Sequence, residues 1–107
     1  LTVSEAAEAK DGCLNALKER LIDRANIIKG RLDREDAALV KRRNAFERDR
    51  DVMTPAEEEE FNRACEESTF KINILNQRLE RHEEISKRRF LELDAKLRAD
   101  PRLAALL

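Results

Sequence analysis

The sequence predicts an all-α fold: a long antiparallel helical hairpin, a coiled coil, with a short helical tail at its C-terminal end. Three observations lead there. Charged residues make up 42% of the 107 positions and aromatics 4%, with only two Gly and two Pro. Ala, Leu, Glu, Lys and Arg dominate, which is the composition of long helices rather than of a compact core. Apolar residues recur at alternating steps of three and four, the spacing of a coiled-coil seam. A single strong break, Asp51-Val52-Met53-Thr54-Pro55-Ala56-Glu57, interrupts that pattern near the middle of the chain.

The first helix is expected over residues 3–51. Thr2 followed by Glu5 matches a capping box, in which a hydroxyl and a carboxylate serve the free N–H groups of the first turn. Its seam reads Leu14, Leu17, Leu21, Ala25, Ile28, Leu32, Glu35, Leu39, Arg42 and Phe46. Gly30 lies inside it and costs about 1 kcal/mol against Ala. A close helix contact or a slight bend would account for that glycine.

The turn is expected at 52–54. Thr54 is a good N-cap, Pro55 falls at the first helical position where its missing N–H is not needed, and Glu57 completes a second capping box. The glutamates from Glu57 to Glu60 favour the positive end of the new helix. Thr54, preceding proline, is pushed out of helical geometry. A stop and restart with so little loop makes antiparallel neighbours of two long helices.

Helix two is expected over 55–99, with the seam Phe61, Cys65, Ser68, Ile72, Leu75, Leu79, His82, Ser86, Phe90 (or Arg89), Leu93 and Leu97. Asp100-Pro101 repeats the cap-and-proline pattern and opens a short tail over 100–107. With the turn centred between Met53 and Thr54, facing residues have numbers summing to 107. Phe46 then meets Phe61, Leu39 meets Ser68, Leu32 meets Leu75, Ala25 meets His82 and Leu14 meets Leu93. The same register sets Arg48 against Glu59, Arg50 against Glu57, Arg24 against Glu83 and Glu19 against Arg88. Asp49 against Glu58 and Lys18 against Arg89 oppose it. Exposed pairs contribute only about 0–1 kcal/mol each, so they favour a register more than they hold it. The seam turns polar at Glu35, Arg42 and Ser68, and the end near the turn is expected to fray first.

Some apolar residues fall outside the seam. Phe70, Ile74 and Ile85 lie to one side of helix two, with Leu91, and Ile22 and Ile27 do so on helix one. Scattered exposed apolar residues are normal on any protein. A second face for partner helices is the stronger reading, because a bare two-helix hairpin is rarely a complete unit. The tail, with Leu103 and Leu106 in the uncharged run Leu103–Leu107, is either a docking strip or a helix that continues beyond this stretch. The start at Leu1 rather than Met gives the expectation of a piece of a longer protein. An opened-out rod, with the two helices running on from one another, stays open as an alternative to the closed hairpin.

The charge balance narrows the function classes. A net charge of -1 argues against a general nucleic-acid binder. No apolar run approaches the length of a membrane span. Cys13 and Cys65 are too few for a disulfide framework, and a reducing, cytoplasmic setting is the default. His82 is the sole histidine and reads as a structural seam residue. No phosphate loop, metal-ligand spacing or nucleophile-and-base arrangement occurs, so no catalytic residue, metal or cofactor is expected and the chain is not read as an enzyme. Lys41, Arg42, Arg43, Arg48 and Arg50 form the only basic cluster. It could meet tubulin or RNA phosphates, or be neutralised by Glu47, Asp49, Asp51 and the facing glutamates.

Four segments carry a resemblance. The run Cys13–Ile28, the turn Met53-Thr54-Pro55-Ala56-Glu57-Glu58-Glu59, the run Ile74-Leu75-Asn76-Gln77-Arg78-Leu79-Glu80-Arg81-His82-Glu83-Glu84 and the ending Leu97-Arg98-Ala99-Asp100-Pro101-Arg102-Leu103 resemble the C-terminal coiled-coil region of the family formed by subunit seven of the nexin–dynein regulatory complex. The match spans most of the chain and is weakest from Asp33 to Arg50. The resemblance implies a structural segment of a long axonemal protein of cilia and flagella. That segment would help link neighbouring doublets and regulate dynein-driven motility. Its implied partners are other coiled-coil subunits of the complex, with doublet microtubules or dynein arms as further contacts and neither nucleic acid nor membrane. No catalytic residue of the upstream region is present to carry over. The alternative is a helical-hairpin adaptor that binds tubulin or RNA through the basic cluster.

Overall fold

Two long helices and a five-residue connection account for nearly all of the chain. The structure is a computed structural model that describes residues 2–104, with side chains as far as residue 102. Helix α1 spans Val3–Asp49, a 3-10 turn covers Arg50–Val52, α2 spans Pro55–Ala99, and α3 is the four-residue Pro101–Ala104. Among the described residues there is no strand. The chain is an all-α helical hairpin.

The connection shows why the first helix stops. The expected limit at residue 51 is two residues too far, because the last turn tightens into a 3-10 turn from Arg50. Met53 is extended, at φ -75° and ψ 137°, and Thr54 precedes a proline. The chain must therefore leave helical geometry before Met53. A 3-10 turn gives the final carbonyls partners over a shorter span.

The restart is held by Thr54. Its Oγ1 accepts from the Glu57 N–H at 3.2 Å, and its carbonyl accepts from the Glu58 N–H at 3.0 Å. The box closes through the hydroxyl, which donates to Glu57 Oε1 at 3.1 Å. Thr2 does the same for α1, accepting from the Glu5 N–H at 3.1 Å while its carbonyl takes the Ala6 N–H. At the start of α3, Asp100 Oδ1 accepts from the Arg102 N–H at 2.9 Å.

The chain divides into two compact units, each an antiparallel pair of segments from α1 and α2. One comprises residues up to Asn26 together with those from Arg81 onward; the other is Ile27–Glu80. In the Ile27–Glu80 unit, Leu39, Ser68 and Leu75 are buried, and the rings of Phe46 and Phe61 stack with centroids 4.2 Å apart and planes 13° apart. In the other unit, Ala6 is fully buried, and the seam residues Leu14, Leu17, Leu21, Phe90 and Leu93 are half-buried.

The polar seam positions near the turn differ from one another: Ser68 is buried, Glu35 half-buried and Arg42 exposed. Ser68 is 4% exposed and Leu39 7%. Arg42 is exposed, but its Nη1 donates to the Ala64 carbonyl at 3.3 Å, which stitches α1 to α2. Gly30 does not mark a close helix contact: a Cβ there would meet nothing within 4 Å, and its φ is not positive.

Candidate interaction surface

Two helices cannot surround a side chain, so the seam of this hairpin is mostly half-buried. Of the seam residues read from the sequence, Leu14, Leu17, Leu21, Ile28, Leu32, Phe46, Phe61, Ile72, Leu79, Phe90 and Leu93 are all half-buried, and Leu39 and Leu75 are buried. The Phe46–Phe61 stack brings together one facing pair counted from the loop. The turn residues Thr54, Pro55 and Glu57 are exposed around the cap described above. Met53, Phe46, Phe61 and Ala64 line a shallow hollow beside that cap, rimmed by Arg42 and Asp49.

The expected outward set divides. Phe70 is 65% exposed and Leu91 67%. Ile74 and Ile85 are half-buried instead, so the hairpin itself covers part of both. They flank the seam rather than oppose it: Ile74 lies one residue from Leu75, and Ile85 one residue from Ser86. On α1, Ile22, Ile27 and Val40 are exposed, and Val40 sits over a shallow groove with Ala37, Asn44 and Ala45, bordered by Lys41 and Arg48. Sequence reading passed over Val40 because it sits among charges with no periodic partner. The Leu106 position and the Leu103 side chain lie outside the described residues.

The charge pairing expected across the hairpin does not form. Arg48 pairs with its neighbour Asp49 at 3.5 Å, and Glu59 with Arg63 on its own helix at 3.8 Å. These side chains are at least half exposed, so the nearest opposite charge captures them and a partner across the seam offers no advantage in water. Among the described residues, the ion pair that does cross between helices is Lys10 Nζ to Asp94 Oδ1 at 3.5 Å, with both side chains three-quarters or more covered. Arg98 also reaches Asp94, its Nε donating at 2.9 Å. That hydrogen bond holds the Asp94 carboxyl below the usual carboxylate range; partial burial opposes it, and the charges of Arg98 and Lys10 add to it. Lys41 and Arg43 are exposed, and the glutamates of the α2 first turn do not reach the basic cluster within 4 Å.

His82 is half-buried and engages the opposite backbone. Its Nε2 lies 2.8 Å from the Leu21 carbonyl oxygen, one turn from the Ala25 contact expected by counting. In helix α1 that carbonyl already accepts from the Ala25 N–H, and its second lone pair opens at the level of the small Ala25 side chain. Cys13 and Cys65 are free thiols, the first exposed and the second half-buried. Among the described residues, no group of three or more His, Cys, Asp or Glu side chains is placed to hold a metal ion, and no helix is long and apolar enough to cross a membrane. What the surface offers is apolar side chains, capped ends and charges spaced along helices.

Comparison with known proteins agrees with that picture. The family model described as "Dynein regulatory complex subunit 7 C-terminal" matches residues 1–107. Proteins named dynein regulatory complex subunit 7 match as well. The one from Chlamydomonas reinhardtii is 58% identical over the whole of this chain, which covers 9% of that protein. The one from Bos taurus is 41% identical over the whole chain, and the human one 39% identical over 99% of it, each covered to 12%. The chain thus spans about a tenth of the length of these relatives. It belongs to the family of dynein regulatory complex subunit 7 C-terminal regions.

Proposed function

We propose that this chain is a structural docking segment of a dynein regulatory complex subunit. In this reading the hairpin contributes to the linker between neighbouring axonemal doublets of a cilium or flagellum, and so to the regulation of dynein-driven motility. Its mechanism is mechanical. The seam sets register, the long helices span distance, and outward apolar residues bind helices of sister coiled-coil subunits. Doublet microtubules and dynein arms are further contacts. The observation that carries the proposal is Phe70, a large aromatic 65% exposed on α2 beside the half-covered Ile74. A hairpin has no second layer with which to bury it, and aromatic side chains are the usual anchors of helical interfaces. Ile85, Leu103 and Leu106 are further candidate partner contacts read from the sequence.

The test is Phe70→Glu in the full-length subunit, assayed by its recovery in purified regulatory complex. Recovery should fall by at least about tenfold, since burying an unpaired carboxylate opposes docking by well over 1.4 kcal/mol. Recovery equal to that of the unaltered subunit would remove Phe70 from any docking role.

A second reading has its own observation. Lys41 stands exposed beside the Val40 groove, Arg43 is exposed as well, and neither forms an ion pair among the described residues. An adaptor role on an acidic filament such as tubulin, or on RNA, would use them. Lys41→Glu with Arg43→Glu would then abolish microtubule or RNA co-sedimentation while leaving helicity intact.

A further inference from the structure

The covered seam positions of α1 run 7, 10, 14, 17, 21, 25, 28, 32, 35, 39 and, past the exposed Arg42, 46, while Ala6, Gly30 and Ala45 are covered beside them. Steps of three and four alternate, with one exception: two fours in succession at Leu17, Leu21 and Ala25. The covered seam positions of α2 run 61, 65, 68, 72, 75, 79, 82, 86, 90, 93 and 97, with Ala64, Ile74, Ile85 and Asp94 covered on the flanks, and this seam too breaks once, with two fours at His82, Ser86 and Phe90. The two exceptions face each other to within one turn, inside the same compact unit. An extra four-residue step locally unwinds a coiled coil and turns seam residues toward the partner's axis instead of into its holes. A matched pair of such steps leaves a short layer where ordinary interdigitation is weak.

That layer holds a polar cluster. His82 Nε2 sits 2.8 Å from the Leu21 carbonyl; because a carbonyl can only accept, Nε2 carries the hydrogen. Ser86 Oγ donates to the His82 carbonyl at 2.6 Å and lies 3.4 Å from Nε2. Such back-bonding bends a helix slightly toward the bonded turn. One turn on from Leu21 is Ala25, the one small residue in the α1 seam from Leu14 to Phe46. A slip of one heptad would set His82 against Leu32 in one direction or Lys18 in the other. Each would cover the carbonyl beneath it and strand the imidazole N–H in the seam.

We propose that His82 and the Leu21 carbonyl form a register lock: a hydrogen bond available in one alignment only, placed where packing by itself specifies the alignment least. A single polar residue in a coiled-coil seam is the best-attested device for fixing register. Here its acceptor is backbone, so the lock depends on the small residue Ala25 that exposes it. The lock goes beyond the docking role, because it concerns how the hairpin aligns with itself.

The test uses the full chain with Cys13→Ala and Cys65→Ala, spin-labelled through Lys18→Cys and Arg89→Cys, both exposed positions of the same unit. With His82 present, the label distance should be a single narrow distribution. His82→Leu should keep the helicity but add a second component, from an axial offset of about 10 Å for one heptad. His82→Gln, whose amide can still donate to the Leu21 carbonyl, should restore the single distribution. Long-range nitrogen–proton NMR on the unaltered chain should find the His82 proton on Nε2. One narrow distribution in His82→Leu would overturn the lock. So would equal loss of helicity in the Leu and Gln variants, which would make His82 a matter of seam volume alone. A proton confined to Nδ1 would overturn it as well. A docking failure of Phe70→Glu would leave all these readouts unaffected.

Discussion

Asp94 meets two cations, one from each helix. Arg98 bonds it from the next turn of α2 and Lys10 reaches it from α1. Its carboxyl therefore titrates below the usual carboxylate range in the folded chain. A lowered folded value means the stabilisation is present above the unfolded value, about 3.9. It is lost as pH falls through the folded one. Asp94→Asn should lower the melting temperature by a constant amount between about pH 5 and 8, and that difference should shrink below about pH 4. Thermal melts of the two chains across that range check it; a difference that persists unchanged at about pH 3 would contradict it. The sequence did not point to Asp94, because neither its i+4 arginine nor a lysine 84 positions earlier stands out among so many charges. His82 was legible as a seam residue. Its acceptor was not, since a backbone carbonyl leaves no mark on the residue that carries it.

At the scale of the element, the start of a helix was easier to read than its end. Thr2, Thr54 and Asp100 each announce a start through a side chain that bonds a free N–H. Nothing comparable marks the end of α1, where no glycine follows and the last turn simply tightens. Thr54 is the more consequential cap, because the reversal of the chain depends on α2 beginning where it does. Thr54→Ala should lower stability by about 1 kcal/mol. Urea titration followed by circular dichroism measures it; an unchanged midpoint would mean that Pro55 and the glutamates suffice. Cross-hairpin charge pairs were the least legible feature. Facing positions do not compel contact when both side chains are solvated and each has an opposite charge closer along its own helix, as Arg48 and Glu59 show.

For the molecule as a whole, the fold class followed from composition and periodicity alone, because only a helix repeats apolar residues at this spacing. What covers the outside did not follow. The hairpin half-covers Ile74 and Ile85 while leaving Phe70 and Leu91 in solvent, and the spacing that sets the seam says nothing of that difference. A two-helix seam in which most leucines stay half-buried is the sort of structure that gains from added layers. The docking reading rests on that incompleteness, joined to membership of a regulatory-complex family.

The most direct test of that claim is site-specific photo-cross-linking from position 70. A benzophenone side chain in place of Phe70 would be installed in the full-length subunit, and the assembled complex irradiated and digested. The docking reading predicts adducts between position 70 and a helix of another subunit of the complex. Adducts confined to the chain itself, in complexes that have assembled fully, would contradict it.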